Sequence, residues 1–356
     1  MVSATIDTGA LRHNLQVIRR FAPKSRVMAV IKANAYGHGL VAVARALDAA
    51  DAFAVARISE AIALREAGVK TPILLLEGVF DSEQLAAAAA GDFELVVHTQ
   101  EQIRLLSAAP RNARFKVWLK LDSGMNRLGF KAREFPAAHA ALSKAPALKS
   151  PVNLITHLAC ADTPELPATA EQLMVFDRTT KSLPGERSLE SSAALLCFPD
   201  SQADWVRPGL LLYGVSPFRG STGMDHGVRP VMTLRSQIIA VKDLVVGDRV
   251  GYGWDWTATR PTRLAIVAVG YGDGYPRSAC SGTPALVNGE HAALVGRVSM
   301  DMIALDTTDI AGDAKVGDPV VLWGEGLPIE QVAIWAETIP YTLLCGINQR
   351  VGVRVL

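Results

Sequence analysis

A chain of 356 residues that is 49% hydrophobic and 20% charged carries enough apolar material for more than one core, and its length suggests two domains. Lys plus Arg number 36 against 35 Asp plus Glu, a net charge of +1, and no basic block or aromatic-basic interleaving is present, which argues against polyanionic partners such as nucleic acid. Residues 1–13 lack a basic start followed by an apolar run, and nowhere do about eighteen apolar residues run uninterrupted, so the chain is expected to be cytoplasmic, neither exported nor membrane-bound.

From about residue 10 to about residue 225, short apolar runs alternate with longer Ala- and Leu-rich stretches of helical character, such as 59–67. The runs are 27–31, 53–56, 73–76, 94–97, 116–121, 152–156, 188–191 and 210–213, and eight of them fit an α/β (β/α)8 barrel of the TIM type. A doubly wound open sheet would alternate similarly; the count of eight tips the balance. After Arg229-Pro230 the texture becomes β-rich, with strand-like segments at 231–241, 248–252, 264–270, 285–287, 293–295 and 319–322 separated by Gly, Pro and Asp. One helix is predicted over 328–336, and 339–356 closes the chain in a further apolar-polar alternation. The expected division is therefore a barrel domain over 10–225 and a smaller β-rich domain over 226–356, with residues 1–9 open to joining the second. Cys160, Cys197, Cys280 and Cys345 form no Cys-x-x-Cys pair and fall mostly in apolar surroundings, as reduced, buried thiols do.

The first chemically suggestive segment is Ala29-Val-Ile-Lys-Ala-Asn-Ala-Tyr-Gly-His-Gly39, which sets Lys32 directly after an apolar strand and before a Gly-containing turn. A strand-end lysine alone is commonly a snorkelling side chain. At the carboxyl mouth of a barrel strand, however, a partly desolvated amine has its pKa pushed below about 10.4, which frees its lone pair for covalent chemistry with an aldehyde cofactor. Further along stand Lys120-Leu-Asp-Ser-Gly-Met-Asn-Arg-Leu-Gly129, Thr156-His157, Ser191-Ser-Ala-Ala194, Arg207-Pro-Gly209, Val250-Gly-Tyr-Gly253, Gly270-Tyr-Gly-Asp-Gly-Tyr-Pro276 and Gly296-Arg-Val-Ser-Met-Asp-Met302. The Gly270-x-Gly-x-Gly274 string looks superficially like a nucleotide loop, but Tyr-Pro-Arg follows it rather than a helix start, so dinucleotide binding is not expected. The seven histidines, at 13, 38, 98, 139, 157, 226 and 291, never fall at metal-ligand spacing, and no metal is expected.

The string Lys32-Ala-Asn-Ala-Tyr-Gly-His-Gly39 resembles the lysine signature of the alanine racemases, enzymes dependent on pyridoxal 5'-phosphate (PLP), and the other motifs arrive in that family's order and spacing. The resemblance implies that Lys32 binds PLP and works as the base on one face of the substrate's α-carbon, with Tyr252 working on the other. Two acid-base groups of different origin suit racemisation, which removes a proton from one side and delivers one from the opposite side. Arg207 matches the arginine facing the pyridine nitrogen; a guanidinium stays protonated, which leaves the ring neutral and a weaker electron sink, favouring quick reprotonation over transamination. Tyr36, Ser192, Gly209, Leu210 and Tyr341 match phosphate contacts, and His157 matches a histidine near the arginine and ring.

Arg127 and Met300 match residues that handle the substrate carboxylate, the first by its forked side chain and the second by its backbone. Lys120 matches a lysine carbamylated in many members, where it orients that arginine. Tyr271, with Asp301, matches the pocket entrance. In the family the tyrosine and methionine reach the partner subunit's site, so the implied enzyme is a two-fold homodimer with composite active sites acting on alanine. The chain departs from the family at two places: Glu190-Ser191 precedes Ser192 where Asn is frequent, and the end reads Arg350-Val-Gly-Val-Arg354 where Arg-Val-Pro is usual.

Competing readings are a racemase of another specificity on the same scaffold, a non-catalytic PLP carrier, an amino acid decarboxylase and a purely structural barrel. Tyr252 and Gly296-Arg-Val-Ser-Met-Asp argue against the carrier, and Arg207 in place of an acid argues against the decarboxylase. The implied reaction serves either wall-precursor synthesis or alanine catabolism.

Overall fold

The segment Arg26-Val-Met-Ala-Val30 is apolar at four successive positions, a pattern for a strand covered on both faces. In a computed structural model of the chain, which describes residues 2–110, 113–149 and 151–356, it is the first strand of a closed parallel barrel. Met1, at the head of the stretch read for a leader, lies outside the described residues. Around the ring follow Ala52–Val55, Ile73–Leu75, Phe93–Val97, Val117–Asp122, Asn153–Ile155, Arg187–Ser188 and Trp205–Val206, the last pairing back onto the first. Every neighbouring pair in this ring is parallel. Ala52–Val55 is buried at all its positions, as a strand must be when side chains fill the barrel on one side and helices cover the other. The helices start on side-chain caps where the sequence supplies them: Asp81 accepts the Gln84 N–H at 2.7 Å and Thr99 accepts the Gln102 N–H at 3.3 Å.

Seven of the eight expected runs overlap barrel strands, but the eighth does not. Leu210–Tyr213 is a 3-10 turn, and the closing strand is Trp205–Val206. An apolar run of four residues has no periodicity to separate strand from buried turn. Here Pro208 lacks a ladder donor, and the Leu212 N–H turns back to the Gly209 carbonyl at 2.9 Å. The true strand is only two residues long and gave no signal of its own.

The described residues form two compact units, the barrel (within 15–35 and 39–212) and a second unit (within 1–14, 36–38 and 213–356). The second unit is an eight-stranded sheet in which Met232–Leu244 pairs with Pro319–Trp323 along its first half and with Thr262–Val267 along its second, across a register shift between Ile238 and Ala240. That double pairing closes a six-strand ring through Ile303–Asp306, Glu290–Leu294 and Pro284–Val287. Ser3–Ile6 adds antiparallel to Met232–Leu244, and Gly352–Val355 adds parallel to Ser3–Ile6. Neither Ser3–Ile6 nor Ile303–Asp306 was evident from sequence, since four-residue strands carry little pattern.

Within 339–356 the alternation hides a helix, Pro340–Gly346, with Pro340 at its first position, where the missing N–H costs nothing. The predicted strand 248–252 shortens to Arg249–Val250, because the chain turns over at Gly251, whose φ is 74°. No disulfide links the four cysteines among the described residues, but Cys280 and Cys345 are exposed rather than buried, Cys345 lying on the outer face of a helix whose buried residues are Leu343 and Leu344. No helix among the described residues is long and apolar enough to cross a membrane.

Candidate active site

The barrel delivers its chemistry at the carboxyl ends of its strands, where loops free side chains from the packed interior. Lys32 follows Arg26–Val30, Lys120 sits in Val117–Asp122, His157 follows Asn153–Ile155, Ser192 follows Arg187–Ser188 and Arg207 follows Trp205–Val206. After Lys32 the backbone does something the sequence does not advertise. Ala33, Asn34, Ala35 and Tyr36 all adopt left-handed φ, between 52° and 54°. Each such residue costs roughly 1–2 kcal/mol, so the turn must be over-determined by its surroundings. Asn34 contributes most visibly: its Oδ1 accepts the Leu40 N–H at 2.9 Å and its carbonyl accepts the Gly39 N–H at 3.0 Å.

Four cations and a histidine converge in the barrel. Arg207 is buried, and its guanidinium donates to Ser188 Oγ at 2.5 Å and to the carbonyls of Thr156 and Leu189 at 2.6 and 3.2 Å. Burial lowers its pKa to about 10, with Glu190 opposing the change. The Lys120 ammonium is brought down to about 7, first by burial and then by the like charges of Arg207, Arg127 and Lys32, with Asp122 pulling the other way. His157 is held well below its ordinary range by burial and by Arg207, Lys120, Arg127 and Lys32, so its ring is neutral. The sequence-predicted Lys32, Lys120, Arg127, His157 and Arg207 therefore share one electrostatic neighbourhood, of a sign that suits an anionic ligand.

Two loops complete this part. Ser192 Oγ accepts the N–H groups of Gly209 and Leu211 at 3.0 and 3.3 Å, which leaves its own proton to donate elsewhere. Gly209 thus serves by orienting Ser192, and Leu210, buried, opens the following turn. The exposed Arg127 rides on a loop tied by Asp122, whose Oδ1 accepts the amides of Gly124 and Asn126 at 3.1 and 2.9 Å while its Oδ2 accepts from Lys131 at 2.7 Å. Asn126, with φ 59°, makes the bend.

The remaining candidates lie in the second unit, in three groups. The Tyr36 ring stacks on Tyr213 at 4.7 Å and meets Tyr341 at 5.7 Å, and burial above all keeps its phenol protonated. Tyr252 is 69% exposed at the tip of a hairpin between Arg249–Val250 and Trp256–Thr257. That tip is braced by an Arg297–Asp255 ion pair against Gly253, where an added Cβ would stand 3.0 Å from the Arg297 guanidinium. Third, Gly270-Tyr-Gly272 lies against Ser299 and Met300: the Tyr271 and Gly272 amides donate to their carbonyls at 3.1 and 2.8 Å, and a Cβ on Gly270 would come within 2.3 Å of both. Close backbone approach accounts for Gly270 and Gly272. Asp301 pairs with Arg350 at 2.7 Å, and Arg350 reaches the buried Asp273 at 3.4 Å.

Family models for the "Alanine racemase, N-terminal domain" and "Alanine racemase, C-terminal domain" match residues 6–217 and 231–355. The chain belongs to the alanine racemase family. The racemase is 52% identical over 348 residues to an alanine racemase from Aeromonas hydrophila, covering 98% of this chain and 97% of that one. It is 48% identical over 353 residues to the biosynthetic alanine racemase of Escherichia coli K12, covering 99% and 98%. It also superimposes on a crystal structure of the biosynthetic alanine racemase of Pseudomonas aeruginosa with a TM-score of 0.96 at 45% identity, over 100% of this chain and 99% of that one. The chain is therefore an enzyme of a PLP-dependent family that racemises alanine, with the barrel-plus-β architecture of its relatives.

Sequence reasoning missed the racemase's supporting residues. Asp122, Ser188, Asp255, Asp273, Arg297 and Arg350 show their roles only through partners distant in sequence or through backbone groups. Asp122, Asp273 and Arg297 stand inside the sequence motifs and Arg350 at the start of the departing terminal string, which was the available signal.

Proposed function

We propose that this enzyme interconverts L- and D-alanine by a two-base mechanism, with Lys32 serving one face of the α-carbon and Tyr252 of the partner subunit the other. The observation that carries the reading is the convergence of Lys32, Lys120, Arg127, His157 and Arg207 at the carboxyl end of the barrel. The residues fit PLP by their chemistry: a lysine at a strand end, a fully engaged serine with one proton left to give an anion, and a permanent cation in place of an acid. When bound, PLP supplies the electron sink that lets the substrate's α C–H bond break heterolytically.

Lys32 would hold the cofactor through its ε-amine. Ser192, with Tyr36, Gly209, Leu210 and Tyr341, would hold its phosphate, and Tyr36, kept protonated by burial, can only donate or accept as a phenol. Arg207 would face the ring nitrogen. Held by three acceptors and still a cation at neutral pH, it gives that nitrogen no proton. His157, neutral, adds no charge beside it. Arg127 and the Met300 backbone would orient the substrate carboxylate, with Lys120 carbamylated so that it presents an anion to Arg127 instead of a second cation. Tyr271 and Asp301 would stand at the entrance.

The homodimer is supported by the surface around the second base. Tyr252, Trp254, Met300 and Met302 are 69%, 64%, 53% and 43% exposed, a concentration of large apolar side chains that a lone subunit would not be expected to leave in water. Borohydride reduction of the purified protein, peptide mapping and D-alanine formation from L-alanine test cofactor, lysine and reaction together. PLP fixed on Lys32 with racemisation is expected; PLP on Lys32 without turnover would redirect the reading to another amino acid or a carrier, and no PLP would overturn it. Sedimentation at enzyme concentrations that retain activity is expected to give twice the chain mass.

A further inference from the structure

Five Asp and Glu residues are buried among the described residues, and four of them are visibly answered. Glu94 accepts from Trp118 Nε1 at 2.7 Å, Asp122 from two amides and Lys131, Asp273 from the Gly270 amide at 3.0 Å, and Glu330 from the amides of Ser216 and Gly223 at 2.8 and 2.9 Å. Glu190 is different. It is fully buried, and neither carboxyl oxygen meets a donor in hydrogen-bonding geometry. The hydroxyl beside it, Ser201, favours its ionised form but makes its well-formed hydrogen bond to the Phe198 carbonyl at 2.8 Å.

A buried carboxylate with no well-formed hydrogen bond is among the most costly groups a fold can keep, even with the nearby amides of Leu189 and Glu190 and the Ser201 hydroxyl favouring its ionised form. Its neighbour explains what it does there. The Arg207 amide donates to the Glu190 carbonyl at 2.8 Å, which sets the two residues side by side on adjacent strand ends, and Glu190 is the acid that acts on the buried Arg207 guanidinium. The guanidinium itself donates to three neutral oxygens, Ser188 Oγ and the carbonyls of Thr156 and Leu189. Beyond Arg207 stand Lys32, Arg127, the depressed amine of Lys120 with Asp122 near it, and the neutral His157. The groups facing Glu190 are Arg207, Ser201 from the turn Pro199–Ser201, and the amides of Leu189 and Glu190 itself.

We propose that Glu190 is a positioning residue that acts through Arg207, its protonation state deciding how much of the guanidinium's positive charge remains to act on the ring of a bound cofactor. Ionised, it neutralises the pair; protonated, it leaves Arg207 a full cation. Burial pushes the carboxyl up to about 7, so the exchange falls across neutral pH. This rests on the proposed seating of PLP against Arg207, but the coupling of the two side chains is a property of the protein alone.

The test is infrared difference spectroscopy of the cofactor-free protein between about pH 5 and 9, on wild type, Glu190→Gln and Arg207→Gln, followed by absorbance titration of the same proteins with PLP bound. Wild type should lose a protonated-carboxyl C=O band with a midpoint near 7, absent in Glu190→Gln, and Arg207→Gln should raise that midpoint by about one unit or more. The bound-cofactor spectrum should move with the same midpoint in wild type and stay flat in Glu190→Gln. A wild type with no titrating band, a midpoint indifferent to Arg207, or a spectrum that ignores a titrating Glu190 would each overturn the proposal. Wild type decides the first and last points even where a variant does not fold. Failure to take up PLP would defeat the functional reading, while the Arg207-dependent midpoint still judges the coupling.

Discussion

Lys120 offers the sharpest quantitative check on the electrostatics of the barrel. Carbamylation joins a neutral amine to carbon dioxide and releases one proton, so its extent follows the fraction of free amine. At the ordinary lysine value of 10.5 only about 0.3% of the side chain is neutral at pH 8, whereas at about 7 roughly 90% is, a gain near 300-fold. Once formed, the carbamate replaces a cation that Arg207, Arg127 and Lys32 repel by an anion that they attract. The assay is carbon-13 NMR of the protein in labelled bicarbonate, with Lys120→Met as reference. A carbamate resonance should grow in as pH rises through about 7 and be missing from the variant. Its absence at pH 8, its survival in Lys120→Met, or a midpoint near that of an ordinary lysine would refute the argument that burial and three neighbouring cations hold this amine neutral.

Ser192→Ala removes a hydroxyl whose only remaining hydrogen is aimed away from two donating amides, and it should weaken PLP affinity by about 10- to 100-fold, as for a charge-assisted hydrogen bond worth roughly 1.5–3 kcal/mol; fluorescence titration of the cofactor-free protein reads it. Tyr252→Phe should abolish racemisation while leaving exchange of the α-hydrogen with deuterated solvent for one enantiomer alone, followed by proton NMR; equal loss for both enantiomers would contradict a division of the two faces. Gly37→Ala should destabilise by about 2–4 kcal/mol, combining the strain of φ 81° with a Cβ placed 2.2 Å from the Leu344 carbonyl oxygen, and a melting temperature equal to wild type would show that contact to be relaxed at no cost. For Glu190 the sign of the pH effect is fixed by its upward shift: the folded state loses stability as pH rises from about 4.5 to about 7. Glu190→Gln should therefore match wild type in this respect below about pH 4.5, gain on it progressively through the window, and show its full gain in melting temperature above about pH 7.

The local sequence carried those parts of the enzyme whose physics is local. Seven apolar runs became barrel strands because strands buried on both faces read as continuous apolar stretches, and the chemical side chains were legible because they sit in short strings at strand ends. Periodicity failed where an element is too short to have any, as at Trp205–Val206, or where an apolar run is buried without being extended, as at Leu210–Tyr213. Nor could it show the left-handed turn at Ala33–Tyr36, because alanine gives no sign of a positive φ imposed by hydrogen bonds to residues several positions on. Only the tertiary structure decided the charge state of the site. Lys120, Arg127, Arg207 and Lys32 lie up to 175 positions apart in the chain, so neither the depressed lysine nor the neutral His157 exists until the barrel closes. Glu190 makes the same point in reverse: in the sequence it is one residue out of pattern before Ser192, and in the folded chain it is a buried carboxyl with Arg207 beside it. A residue's type is written locally, but its desolvation and its charged neighbours are set by which strand ends the fold brings together.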